Sequence, residues 1–146
     1  MKYLFLVLLF FSFSFSQEYK AVFDCESNNA RFVLGRLFLI ERTIKNFKED
    51  NLKYKFEITI HGSCVLFLRK DLSKFSPRKR HQIEDLQNQL EILKELYNVQ
   101  IKACNIALNR YGLKKKDIID FVNIVKNSWQ EIIILQNKGY ALVPFE

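Results

Sequence analysis

The chain lacks a Cys-x-x-Cys pair, so thioredoxin-type exchange and zinc-knuckle spacing have no support. It also lacks a phosphate-binding loop, a dinucleotide glycine signature and a Gly-x-Ser-x-Gly elbow. Only two prolines and four glycines occur, too few for a loop-rich or disordered chain. Histidine is equally scarce, at two residues. His81 sits in a basic helix start, which leaves His61 as the candidate imidazole base.

What is present begins with an apolar N-terminus. Lys2 precedes an unbroken run from Tyr3 to Phe11, and Ser14-Phe15-Ser16 offers small residues at the positions a signal peptidase reads. The run is shorter than the ~20 residues that span a bilayer. Residues 1–16 therefore read as a signal peptide and residues 17–146 as a single domain. The expected location is the periplasm, with no membrane attachment after cleavage. No cysteine lies at the cut, which argues against a lipoprotein.

The formal net charge is +7. The densest basic runs, Arg78–His81 and Lys114–Lys116, are not interleaved with exposed aromatics. They read as solvated or partner-facing surface, and with export they imply no nucleic-acid partner.

Three cysteines are present, Cys25, Cys64 and Cys104. An odd number in an exported chain leaves at least one thiol unpaired within the monomer. A domain of this size has no need of a disulfide scaffold.

The hydropathy pattern alternates strands with helices. Tyr19–Asp24 reads as a first strand. Ser27 or Asn28 can cap a helix from Asn29 to Glu49, striped by Val33, Leu37, Ile40, Ile44 and Phe47. Lys53–Ile60 alternates as a second strand and runs into His61-Gly62-Ser63-Cys64. Val65–Leu68 suggests a short helix. Ser76-Pro77 opens a long helix with Ile83, Leu86, Leu90, Leu93 and Tyr97 on one face, a seam for a sheet or for a second chain.

Val99–Ala103 is a short apolar strand that delivers Cys104 to the start of a helix ending near Gly112. A further strand spans Val122–Val125. Ser128 and Glu131 have capping-box spacing for the next helix, and Tyr140–Phe145 is a last strand. The order implies an α/β domain with a mostly parallel, five-stranded sheet and helices on both faces.

Each cysteine follows a strand. A parallel sheet would bring all three to its carboxyl edge, where α/β sites form, with His61 beside them. Three chemistries fit. A thiolate can carry sulfur as a persulfide, two thiols can cycle through a disulfide, and three thiols with His61 can hold zinc or copper(I). Cys104 is the strongest nucleophile candidate, because free helix amides favour thiolate over thiol. His61 and Cys64 complete the candidate catalytic set.

The segment VQIKACNIALNRYG, with Cys104 followed by Ala107-Leu108, Arg110 and Gly112, resembles the active-cysteine segment of the DsrE/DsrF-like family. ITIHG at Ile58–Gly62 and NKGYALVPF at Asn137–Phe145 resemble exported members of that family. The resemblance spans Tyr19 to Glu146. It implies a three-layer α/β fold, a homo-oligomer, and a persulfide on Cys104 exchanged with a sulfane sulfur donor or acceptor protein. It matches no functional residue to Cys25 or Cys64, and no cofactor is expected. The alternative is a non-enzymatic metal- or partner-binding module built on the cysteine cluster.

Overall fold

In the computed structural model, the described residues are 17–145. The expected signal peptide over residues 1–16 lies outside them. Five strands form one parallel sheet: β1 (Glu18–Cys25), β2 (Lys53–Ile60), β3 (Gln100–Cys104), β4 (Asn123–Val125) and β5 (Ala141–Pro144). Their order is β4-β3-β2-β1-β5. Every pairing is parallel, and β1 and β2 align from Glu18↔Lys53 to Cys25↔Ile60.

Four α-helices are described: α1 (Ala30–Glu49), α2 (Pro77–Tyr97), α3 (Asn105–Arg110) and α4 (Ser128–Asn137). On one face, α1 and α2 bury Val33, Leu37, Ile40, Ile44, Ile83, Leu86, Leu90 and Leu93 against Phe56, Ile58, Ile60, Ile101 and Ala103 of the strands. Burial at about 25 cal/mol per Å² of apolar surface makes this face the main source of stability. The leucine seam of α2 is thereby used inside the domain.

The opposite face is covered by α4, through Ile132 and Leu135 on Val22 and Tyr140. The expected α/β sheet with helices on both faces is what the chain forms.

Several local readings shift by a few residues, each for a physical reason. The cap of α1 is Asn29, whose Oδ1 accepts from the Phe32 N–H at 3.1 Å, while Ser27 supports the Asn29 N–H. The Val65–Leu68 helix is the end of a 3₁₀ segment spanning Gly62–Leu68. The Ser128–Glu131 capping box does not form. Asn127 caps α4 by accepting from the Trp129 N–H at 3.0 Å. Ser128 and Glu131 are instead drawn to Cys104 and Lys102 of β3.

Candidate active site

Strand alternation decides which side chains share the α4 face. Val22 and Asp24 of β1 lie on it, as do Glu57 and Thr59 of β2 with His61 just beyond, and Lys102 and Cys104 of β3. Residues 23 and 25, 58 and 60, and 101 and 103 face α1 and α2.

Cys104 ends β3 and caps α3 without a side-chain bond of its own. Its sulfur is buried, and the Ser128 N–H donates to it at 3.4 Å. Burial alone pushes the thiol up. The backbone N–H of Ala107, the N–H and hydroxyl of Ser128 and the N–H of Ile106 together outweigh burial and hold it below its ordinary value.

His61 leaves β2 in extended conformation and is also buried. Its Nε2 lies 3.0 Å from Asp24 Oδ2. The other carboxylate oxygen, Oδ1, accepts from the Thr59 hydroxyl at 2.8 Å. The hydrogen bond that His61 donates to Asp24 raises the imidazole against the opposing effect of burial, and the charges of Asp24, Glu26 and Cys104 add to the rise. His61 is thus oriented by a carboxylate and biased toward the charged form beside the thiol.

The turn after His61 is set by Gly62, at φ +53°, where a Cβ would fall 2.8 Å from Glu26 Cγ. That close approach lets Glu26 lie over the site. A cavity of about 280 Å³ opens between these elements, lined by Glu26, His61, Gly62, Cys104, Arg110, Ser128 and Trp129 among others. A larger groove of about 530 Å³ runs along α1 and the β1–β5 edge, lined by Phe47, Phe56 and Phe145 among others, and holds no thiol or imidazole.

Of the expected site residues, Cys104 and His61 share the cavity and Cys64 does not. Cys64 is bonded to Cys25, with Cα atoms 6.1 Å apart, and both face the apolar core. All three cysteines do reach the carboxyl edge of the sheet, but alternation turns Cys25 away from Cys104. Cys104 is the free cysteine among the described residues. The described residues contain no group of three His, Cys, Asp or Glu side chains placed to hold a metal ion.

Asp24 and Ser128 belong to the site and were not anticipated. An acidic residue ending an apolar strand was a usable signal for Asp24. Ser128 was obscured by its reading as a cap.

A family model described as the DsrE/DsrF-like family matches residues 25–145. The chain belongs to the DsrE/DsrF-like family. A protein of Aquifex aeolicus (strain VF5) described as uncharacterized is 46% identical over 145 residues, which is 99% of this chain and 64% of that protein. The chain thus spans just under two thirds of the length of this relative. Two solved structures share the fold. A protein of unknown function from Methanobacterium thermoautotrophicum superimposes with a TM-score of 0.58 at 21% identity, over 86% of this chain and 98% of that one. The ychN protein of E. coli gives 0.55 at 18% identity, with coverage of 86% and 98%. The DsrE/DsrF-like family is associated with sulfur relay, and this chain carries its free cysteine at the end of β3.

Proposed function

We propose that this DsrE/DsrF-like protein is exported to the periplasm after loss of residues 1–16 and handles sulfur through a persulfide on Cys104. The observation that carries this reading is a free thiol that accepts from the Ser128 N–H at 3.4 Å, at a cavity that it shares with an Asp24-oriented His61.

The Cys104 thiolate attacks the outer sulfur of a sulfane donor. Its electron pair forms the new S–S bond, and the donor S–S bond breaks with its pair on the departing thiolate or sulfite. His61, as imidazolium, supplies a proton to a departing thiolate. The persulfide anion is stabilised by the same N–H groups that stabilise the thiolate. An acceptor nucleophile then attacks the outer sulfur and restores Cys104. No net oxidation occurs, because sulfane sulfur is passed on unchanged.

A protein donor or acceptor suits the cavity rim, where Trp129 is 68% exposed and Ile106 54%. Homo-oligomeric assembly is part of the same proposal and is read by light scattering. The metal-binding alternative loses support, since two of its thiols are spent in a disulfide.

The test is intact-mass analysis after exposure to thiosulfate or polysulfide. The expected result is added sulfur on the parent and none on Cys104→Ser. Equal masses before and after for the parent, or equal loading of the variant, overturns the reading.

A further inference from the structure

The α4 face carries a second polar cluster that the persulfide chemistry does not use. Lys102 Nζ lies 2.5 Å from Glu57 Oε2 of β2 and 2.5 Å from Glu131 Oε1 of α4. The Tyr140 hydroxyl donates to Glu57 Oε1 at 3.1 Å. Burying a lysine in a central strand is costly, and here two carboxylates offset the cost. Burial opposes the Lys102 charge, while Glu131 and Glu57 reinforce it and keep the ammonium protonated.

The placement of the cluster is what connects it to the thiol. Lys102 and Cys104 are two apart on β3 and share a face, about 6.6 Å along the strand. Glu131 and Ser128 are three apart on α4, about 4.5 Å along the helix, and neighbour one another on its surface. The first turn of α4 is therefore tied to β3 at two adjacent points. One is the Lys102–Glu131 ion pair, and the other is the Ser128 contact with the Cys104 sulfur at 3.4 Å. The apolar anchors of α4, Ile132 and Leu135, lie beyond that turn. The ion pair is the stronger tie, since it is charge-assisted and short.

We propose that Lys102 is a positioning residue that holds the first turn of α4 through Glu131, keeps Ser128 on the Cys104 sulfur, and so sets the reactivity of that thiol. The inference rests on the reading of Cys104 as the reactive sulfur. The other charged groups facing Cys104 are His61 from the end of β2, backed by Asp24, Glu26 beyond β1, and Arg110 from α3. None of them contacts Lys102, whose charged partners are Glu57 and Glu131.

The experiment compares the rate of Cys104 alkylation by iodoacetamide against pH in the full chain, in Glu131→Gln and in Glu57→Gln. Each variant removes one carboxylate from Lys102, but only Glu131 belongs to α4. In Glu131→Gln the midpoint is expected to move up, slowing alkylation at neutral pH on the order of threefold to tenfold, the reach of one hydrogen bond. In Glu57→Gln the profile is expected to stay with the parent. A folded Glu131→Gln whose profile superimposes on the parent overturns the proposal, as do equal shifts in both variants. If Glu131→Gln does not fold, Glu131→Asp keeps the charge and shortens the reach, and an unmoved profile there overturns the proposal equally. A parent midpoint at the ordinary free-cysteine value overturns both this proposal and the reading of Cys104. An activated parent with an unmoved Glu131→Gln overturns only the proposal.

Discussion

The two faces of the sheet do different work. Toward α1 and α2, β2 and β3 present Phe56, Ile58, Ile60, Ile101 and Ala103, and the cysteines on that side are closed into a disulfide. Toward α4, the same two strands present Glu57, Thr59, Lys102 and Cys104, with Asp24 and His61 alongside. One face is a close-packed apolar layer whose stability comes from burial. The other buries polar groups and holds them through specific partners, which is how a site gains fixed geometry at the expense of stability. The redox states of the cysteines follow the same division. The pair in the apolar layer is spent on structure, and the thiol on the polar face stays available.

The largest test of that division is sulfur loading itself. Cys104→Ser is expected to abolish loading, whereas Cys25→Ala/Cys64→Ala is expected to load as the parent does. Loss of loading in the double variant, with the fold intact by circular dichroism, would break the division. The same double variant should lose stability. Its disulfide closes a sequence separation of 39 residues, and loop-closure entropy alone sets the loss at about 4 kcal/mol. Denaturant unfolding measures this, as a lower midpoint.

Much of the architecture was legible because the helices and strands have clean periodicity. The stripe of Val33, Leu37, Ile40 and Ile44 in α1 and the alternation of Phe56, Ile58 and Ile60 in β2 each permit one burial pattern. The placement of Cys104 between a strand and a helix was legible in the same way. What escaped was contact between elements far apart in sequence. Edge position alone groups Cys25 and Cys64 with Cys104, whereas alternation sends Cys25 to the opposite face from Asp24. Glu57 and Lys102 stand at alternate positions in two buried parallel strands. Such charges call for partners across the sheet, but the capping-box spacing of Glu131 points it to its own helix start. Asn127 takes the cap, and the Ser128 N–H donates to the Cys104 sulfur, so the contact with the thiol is hidden behind a capping box that does not form.

Substitutions in the strands sharpen the contrast between the two faces. Lys102→Met leaves Glu57 buried without its cation and is expected to cost about 3 kcal/mol. Adding Glu57→Gln should recover much of that loss, because the uncompensated charge is gone. Ile58→Ala on the apolar face should cost about 3 kcal/mol as well, by cavity formation, with no second-site polar change that restores it. The measurement is a set of urea midpoints at constant slope. A Glu57→Gln/Lys102→Met protein no more stable than Lys102→Met would mean that the cost lies in packing and not in charge.

The smallest effect separates two groups on the polar face by the sign of their pH dependence. The pKa of His61 is raised in the folded protein by its hydrogen bond to Asp24. Its contribution to stability is therefore fully present below the unfolded histidine value, about 6.5, and is lost as pH rises through the folded value. Cys104 is lowered, because hydrogen bonds from Ala107, Ser128 and Ile106 outweigh burial. Its contribution is present above the unfolded thiol value, about 8.5, and is lost as pH falls through the folded value. His61→Asn should remove the stability lost on raising the pH from acid to neutral while leaving the alkaline side unchanged. Cys104→Ser should do the reverse. Thermal midpoints of the parent and both variants across that range read the difference. If His61→Asn instead changes the alkaline side, the imidazole and the thiol titrate as one coupled pair, and the polar face is a single unit.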